Sequence, residues 1–169
     1  LNFCTVDLSS FYFDIRKDTL YCDKKDSLKR KNCITVLNII LDCLLKWFAP
    51  ILSFTTEEIF KLLHSEKESS IHLKHFPKIN KKWENKKLEK DWDNLINIRT
   101  VVNSSIEKKR EDKTIGSSLE AKITIQLGKK YFELANSYDF SEICITSDAS
   151  IVLKKELKDE IIVETVKAE

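Results

Sequence analysis

The scarcity of residues that break helices constrains the fold of this chain more than any other feature. Among 169 residues there are two glycines, Gly116 and Gly128, and two prolines, Pro50 and Pro77. Glycine and proline mark most turns, so a chain that uses them this sparingly has few places where short strands could reverse direction. The sequence therefore predicts long helices and a mainly α fold.

The overall charge argues against a basic surface that covers the whole molecule. Lys and Arg number 29 against 27 Asp and Glu, which gives a net charge of +2, and 42% of the residues are apolar. Nearly balanced charge argues against a basic coat over the whole molecule, but it leaves room for a local basic face. The chain also lacks methionine, even at position 1, which predicts a fragment or a chain whose start was removed.

Residues 34–54 form the one candidate for a membrane segment, and their polar residues argue against it. Asn38, Asp42 and Lys46 recur every four residues, so a helix would carry them as a polar stripe that lipid does not tolerate. The start of the chain also lacks the charged segment and apolar run of a secretory leader. We expect an amphipathic helix of a soluble protein with a cytoplasmic location.

The spacing of cysteine and histidine does not predict a metal site. No two of the cysteines lie two residues apart, as zinc ribbons and redox dithiols require. His64, His72 and His75 are close in sequence, but acidic or thiol ligands at suitable spacing are missing around them. We therefore expect surface or half-buried histidines, free buried thiols, and no metal or other cofactor bound by this chain. The cysteines are Cys4, Cys22, Cys33, Cys43 and Cys144.

No catalytic site is predicted from the sequence. Two isolated glycines cannot form a phosphate-binding loop, and no pattern nominates a nucleophile with its base. Asp14 and Asp18 lie one helical turn apart, but carboxylates with basic neighbours are common on polar helix faces, so we assign both to structure. We expect no catalytic residue and no small-molecule substrate bound by this chain.

Apolar residues recurring at three and four positions predict three long helices and one short helix. Ser27 is placed to cap the second long helix. The short helix is expected to begin at Thr55, which would form a capping box with Glu58, and to turn Ile59, Leu62 and Leu63 inward. The long helices are expected at residues 2–22, 28–48 and 86–113.

The helix predicted at residues 86–113 carries an apolar seam with one charged residue in it. Alternating spacings of four and three are typical of a seam between packed helices. Arg99 falls on this seam, where it needs a hydrogen-bond partner or an opening to solvent. A charged loop at residues 65–70 and an irregular segment at residues 71–87 are expected before this helix. The seam comprises Leu88, Trp92, Leu95, Val102 and Ile106.

The pattern changes after Gly116 from a helical to an alternating period. Apolar residues at every second position from Ala121 to Leu127 predict a strand, and residues 129–136 predict a short helix. We therefore expect an antiparallel helical bundle at residues 1–116 and a small α+β subdomain at residues 117–169. Further strands are expected at Ile143–Ile145, Ile151–Leu153 and Ile161–Val166.

Cationic side chains are the remaining candidates for function. Lys108, Lys109 and Arg110 end the longest helix, and Lys113 follows one turn later, which is a cluster that suits RNA phosphates. The same charges would complement the negative end of the helix dipole, so the cluster alone does not decide between the two roles. Arg30, at the start of the second long helix, has the same ambiguity.

Trp83 lies in a lysine-rich segment at residues 80–87. An aromatic residue among basic ones is typical of surfaces that hold single-stranded RNA. A tryptophan docked on the helical bundle as a core plug is the alternative, and the one that we favour.

Four segments spread along the chain form one pattern. They are LNFCTVDLSSFYFDIRKDTLYC at residues 1–22, WFAPILSFTTEEI at residues 47–59, VVN at residues 101–103 with Glu107 and Arg110, and KTIGSSLEA at residues 113–121. Together they resemble the anticodon-binding region of bacterial isoleucyl-tRNA synthetases, and the resemblance runs along the whole chain. The second segment alone is shared in looser form with the valyl and leucyl relatives.

The resemblance implies a helical bundle that grips the anticodon stem-loop of tRNA-Ile. It implies a parent enzyme, acting as a monomer, that joins isoleucine to this tRNA with ATP and Mg²⁺, and whose catalytic, editing and zinc units lie outside this chain. Gly116 is expected to supply a backbone conformation closed to other residues at the helix exit. The side chains expected to face tRNA are Arg30, Arg99, Lys109, Arg110, Lys113 and Lys17.

Other functions stay open at this point. The chain could be the anticodon domain of a valyl or leucyl relative, or a helical protein-interaction module without RNA binding, which its near-neutral charge would suit. A free-standing enzyme is the third class, and no residue in the sequence nominates its site.

Overall fold

A computed structural model describes residues 2–64 and 69–168. The chain divides into two compact units, Leu1–Glu84 and Asn85–Glu169, each of which is described by itself. Of the charged loop predicted at residues 65–70, residues 65–68 lie outside the described residues. Helices predominate and a small sheet lies in the second unit, which confirms the predicted mainly α fold with a small α+β part.

The first unit is helical. Residues Phe3–Phe13 are wound as a π-helix that continues directly into helix α1, and α2 packs against both α1 and α3. This confirms the helix predicted at residues 2–22, in which Leu8 and Ile15 are buried. Short 3₁₀ turns at Ile71–Leu73 and Lys81–Trp83 interrupt the irregular segment that follows. The α-helices are α1 (Asp14–Tyr21), α2 (Leu28–Phe48) and α3 (Ser53–Leu63).

Helix α2 has the bounds that the sequence predicts. The Ser27 side chain caps it by accepting a hydrogen bond from the Arg30 backbone N–H at 3.5 Å, and the helix stops two residues before Pro50. Its most buried side chains include Cys33 and Cys43, whereas Ile34 is 40% exposed. All five cysteines are free thiols, but Cys22 is exposed and Cys4 half-buried, so burial is confirmed for three of them.

Helix α3 begins two residues earlier than predicted. The capping box at Thr55 is wrong, because the turn after Pro50 continues into the helix at Ser53, whose hydroxyl donates to the Ala49 carbonyl at 3.1 Å. The inward face differs in part: Thr56 and Phe60 are buried, and the predicted Ile59 packs against the core of this unit. The predicted Leu62 and Leu63 are 81% and 53% exposed.

The second unit is a three-stranded sheet with helices α4 (Lys86–Glu111), α5 (Lys129–Ala135) and α6 (Phe140–Cys144). The strand order is β2-β1-β3, with β1 parallel to β2 and antiparallel to β3. In this register Ile125 of β1 lies between Ile151 and Val163. The strands are β1 (Ala121–Leu127), β2 (Asp148–Leu153) and β3 (Ile161–Lys167).

The apolar seam of α4 packs on this sheet. Leu95, Ile98 and Val102 are 0% exposed and share one core with the inward residues of β1. Ile98 takes the buried position that the predicted seam gave to Arg99, and Leu88 is 44% exposed. The compact units therefore divide near residue 85, and the domain boundary predicted between residues 116 and 117 stays a prediction.

The strand predicted around Ile143–Ile145 is wrong. These residues end helix α6, which Asp139 caps by accepting hydrogen bonds from the backbone N–H groups of Ser141 at 2.9 Å and Glu142 at 3.3 Å. Ile145 then adopts a left-handed conformation with φ 56°. Two isoleucines separated by one residue fit either a strand or the end of a short helix, and the aspartate cap decides for the helix.

Candidate nucleic-acid interface

The C-terminal end of α4 is closed by a tight hydrogen-bonded cap. The backbone N–H of Thr114 donates to the Lys109 carbonyl at 3.0 Å, and the N–H of Lys113 donates to the Arg110 carbonyl at 3.0 Å. This pair of bonds defines a Schellman motif, whose reversal point normally carries glycine. Here the reversal point is Lys113, with φ 57°.

The left-handed residue at this helix exit is thus a lysine, and the prediction for Gly116 is wrong. Neither described glycine has a positive φ. Gly116 instead allows a close approach, because its N–H donates to Glu120 Oε2 at 3.1 Å and an added Cβ would lie 3.0 Å from Glu120 Oε1. A left-handed L-residue costs about 1–2 kcal/mol, and such strain is concentrated at functional sites.

A shallow cleft of about 460 Å³ opens beside the cap. The buried Ile115 anchors it, and Arg110 Nη1 lies 2.7 Å from Glu107 Oε1 at its rim. Lys113 is exposed, and no ion pair is found for it among the described residues. The cleft is lined by Glu107, Arg110, Glu111, Lys113, Ile115 and Gly116.

Lys109 extends the buried line of α4 to the helix end. It is half-buried, and within residues 2–64 and 69–168 it has no acidic partner. Lys108, about 100° around the helix from Lys109, is exposed. The cap already satisfies the Lys109 and Arg110 carbonyls, so these lysine side chains are not needed as hydrogen-bond donors to the helix end.

Arg99 is held by a backbone contact inside the second unit. Its Nε donates to the Ile143 carbonyl at 2.9 Å, which ties α4 to α6. Arg99 therefore has the hydrogen-bond partner that we expected for it. Arg99 and Arg110 lie eleven residues apart on one flank of the helix, which corresponds to about 16 Å along its axis. That Arg99 faces RNA stays a prediction.

In the first unit, Arg30 and Lys17 also have contacts with their own unit. Arg30 Nη1 donates to the Asp23 carbonyl at 3.0 Å, which closes the loop before α2. Lys17 Nζ lies 3.2 Å from Asp14 Oδ1, with both side chains partly exposed. These contacts give both cations a structural task, and their assignment to tRNA stays a prediction.

One groove in the first unit was missed as a candidate site. The stripe of Asn38, Asp42 and Lys46 faces Trp83 across it. Trp83 is 56% exposed, so its prediction as a core plug is wrong. The polar stripe is visible in the sequence, but its position beside Trp83 depends on the folded chain.

The described part of the chain contains neither a metal-binding cluster nor a membrane-spanning helix. Across residues 2–64 and 69–168, no three His, Cys, Asp or Glu side chains are grouped so that they could hold a metal ion. In the same part of the chain, no helix is both long and apolar enough to cross a membrane.

Comparison with known proteins connects these features to a family. The profile described as "Anticodon-binding domain of tRNA ligase" matches residues 1–125, about three quarters of the chain. The chain belongs to this family. The matched range includes the first unit, all of α4 and its cap, and most of β1.

Three relatives similar to this anticodon-binding domain are isoleucine–tRNA ligases. An isoleucine–tRNA ligase of Pelagibacter ubique is 59% identical over 169 residues, which are 100% of this chain and 18% of the relative. The ligase of Agrobacterium fabrum is 46% identical over 153 residues, or 90% and 16% of the two chains. That of Rhodopseudomonas palustris is 44% identical over 149 residues, or 88% and 15%.

The anticodon-binding domain therefore spans less than a fifth of the length of these relatives. Because all three are isoleucine–tRNA ligases, they favour the isoleucyl interpretation over the valyl or leucyl alternative.

Proposed function

We propose that this domain holds the anticodon arm of a tRNA and that the capped end of α4 contacts the RNA phosphates. The observation that carries the proposal is Lys113, held by two cap hydrogen bonds in a strained conformation with its side chain exposed. Lys109 and Arg110 lie within the same helix end. Membership of the anticodon-binding family supports tRNA as the ligand, and the cap positions the cations that would contact its phosphates.

The cap suits phosphate binding because it fixes the backbone beneath the cations. Lysine acts as a compact point charge, which pairs well with phosphate oxygens. Phosphate contacts set position and affinity, whereas base contacts set sequence preference. Lys109 and Lys113 have no acidic partner among the described residues, so binding RNA would not require them to break an ion pair. Arg110 would have to exchange its contact with Glu107.

We further propose that the parent protein is an isoleucine–tRNA ligase and that the RNA is tRNA-Ile. The names of the three relatives support this proposal. ATP, Mg²⁺ and Zn²⁺ would then act in other parts of the parent, which would work in the cytoplasm as a monomer. This domain would bind and orient the tRNA, because no arrangement of catalytic side chains is found among the described residues.

Titration of fluorescently labelled tRNA-Ile with the full chain at low salt tests the proposal. Lys113→Ala and Lys109→Ala are each expected to weaken binding by about tenfold, as loss of one hydrogen bond to a charged group does. Lys155→Ala is the matched control, because it removes the same charge from an exposed loop position of the second unit. Equal losses in all three variants, or no binding of any RNA by the wild-type chain, would overturn the proposal.

A further inference from the structure

A groove of about 540 Å³ runs along one face of α2 in the first unit. One wall belongs to α2 and is mainly polar, and the other wall is formed by Pro77, Lys78, Ile79 and Trp83. Its volume suits one nucleotide-sized ligand. The groove lies outside the described hydrophobic core of the first unit, which forms around Leu45, Phe60 and Ile71.

Trp83 presents an open indole to this groove. The side chain is 56% exposed, and it ends the 3₁₀ turn Lys81–Trp83. Asn80 caps that turn by accepting a hydrogen bond from the Lys82 backbone N–H at 3.0 Å. Local backbone hydrogen bonds therefore position the indole, and much of its surface is left accessible to a planar partner. Ile39, Pro77 and Ile79 add apolar lining.

The α2 wall offers both hydrogen-bond acceptors and donors. Asp42 Oδ2 accepts a hydrogen bond from Lys46 Nζ at 2.6 Å, and the Asp42 side chain is still 52% exposed. Its carboxylate retains further acceptor capacity. Asn38 lies one turn earlier and is exposed, with no hydrogen bond found for its amide among the described residues. An amide and a carboxylate spaced by one helical turn suit the polar edge of a base.

We propose that this groove takes one unstacked nucleobase of a single-stranded RNA loop, stacked on Trp83 with its edge against Asp42 and Asn38. The inference rests on the proposed function and adds a base-reading site to it. Aromatic stacking and edge hydrogen bonds are how proteins hold splayed RNA bases. The exposed lysines at positions 78, 81 and 82 would hold the flanking phosphates.

The carboxylate gives the groove a preference among bases. Asp42 can only accept hydrogen bonds when ionised, so it favours a base whose edge carries an exocyclic amino group. Cytosine has such an amino group where uracil has a carbonyl oxygen, and carboxylates accept from the cytosine amino group. The groove therefore binds cytosine in preference to uracil.

Two RNA hairpins with identical stems, one with a loop of cytidines and one with a loop of uridines, test this inference. Both carry the same charge, so phosphate contacts contribute equally to their binding by the full chain. The wild-type chain is expected to bind the cytidine loop at least about fivefold more tightly. Asp42→Asn is expected to abolish the preference for the cytidine loop. The exposed control Asp26→Asn removes the same charge and should retain this preference.

The stacking contact has its own test in the same assay. Trp83→Ala is expected to weaken binding of both loops by about fivefold or more, and Trp83→Phe should retain much of the affinity. Trp47→Ala is the control, because Trp47 is 45% exposed and does not line the groove. Circular dichroism melting of each variant shows whether the fold is retained.

The outcomes separate the two proposals. If the chain binds tRNA-Ile and both hairpins, yet neither Asp42→Asn nor Trp83→Ala changes binding beyond its control, the base-reading groove is overturned and the phosphate-binding cap stands. If the wild-type chain binds no RNA at low salt, both proposals fall. Loss of the cytidine preference in Asp42→Asn alone supports the groove directly.

Discussion

The two units differ in how much apolar surface they bury. In Asn85–Glu169, one core joins α4, the sheet and the short helices, and Leu95, Ile98, Ile123 and Ile125 are all 0% exposed. In Leu1–Glu84, the compact core contains Leu45, Ala49, Phe60 and Ile71, and most of the exposed large apolar side chains among the described residues belong to this unit. Phe54, for example, is 93% exposed.

This difference indicates where rigidity comes from in each unit. Buried apolar area stabilises the second unit directly. The first unit depends more on local polar contacts, of which Glu57 is an example: its carboxylate accepts from Ser70 Oγ at 2.8 Å and from the Ile71 backbone N–H at 3.0 Å. Segments with few buried apolar contacts open at lower free energy than densely packed cores. We therefore expect the first unit to open first.

Thiol labelling should show the largest difference between the units. Burial raises the pKa of the Cys144 thiol to about 12, partly opposed by Arg99. At pH near 8, its thiolate population is then about a thousandfold smaller than that of a thiol with the ordinary pKa, and thiolate is the reactive form. Labelling by an aromatic disulfide, located by mass spectrometry, should modify exposed Cys22 first and Cys144 last. Equal rates for Cys144 and Cys43 would contradict the comparison.

Truncation of an apolar side chain should have the next largest effect. Ile125→Ala is expected to lower the free energy of unfolding by about 2–5 kcal/mol, because it leaves a cavity at a fully buried position. Ile34→Ala in the first unit should cost less than about 1.5 kcal/mol, since that side chain is already 40% exposed. Urea denaturation followed by circular dichroism measures both. A larger loss from Ile34→Ala would reverse the proposed order.

The cap of α4 allows stability and binding to be separated. Lys113→Gly relieves a left-handed lysine, and it is expected to raise the free energy of unfolding by about 0.5–1 kcal/mol after the entropy of glycine is counted. The same change removes a phosphate-binding cation, so affinity for tRNA should fall. Thermal unfolding and RNA titration of one protein sample test both expectations. Destabilisation by glycine would mean that Lys113 makes contacts that outweigh its strain.

The smallest effect is expected from pH in the first unit. The hydrogen bond from Ser70, with further ones from Ile71 and Lys61, lowers the pKa of Glu57 below its ordinary 4.5. A lowered pKa means that the ionised form is favoured in the folded state, so its contribution is present above pH 4.5 and is lost as pH falls through the folded value. The stability difference between wild type and Glu57→Gln should therefore shrink in acid. A difference that is constant from neutral to acid pH would contradict this role.

The spacing of apolar residues predicted most helix and strand positions, but it did not show which of two possible local structures the backbone would form. The bounds of α2 and the alternation of β1 followed from the spacing of apolar residues. The predicted capping box at Thr55 was wrong because the preceding turn extended the helix, and the Ile143–Ile145 strand was wrong because Asp139 capped a helix. Both errors lie where short-range hydrogen bonds decide between patterns that the sequence allows.

The candidate site was predictable in part. The basic end of α4 could be located from Lys108, Lys109 and Arg110, whereas the left-handed lysine could not, because propensity assigns that conformation to glycine. The groove beside Trp83 depends on residues far apart in sequence, and only the folded chain brings α2 and residues 77–83 together.

The salt dependence of tRNA binding tests most directly whether the end of α4 holds phosphates. We predict that the logarithm of the affinity of the wild-type chain falls linearly with the logarithm of the salt concentration. In the double variant Lys109→Ala with Lys113→Ala, the magnitude of this slope should decrease by about 1.4 to 1.8, because each lost phosphate contact removes roughly 0.7 to 0.9. Equal slopes for wild type and double variant would contradict the proposed contact.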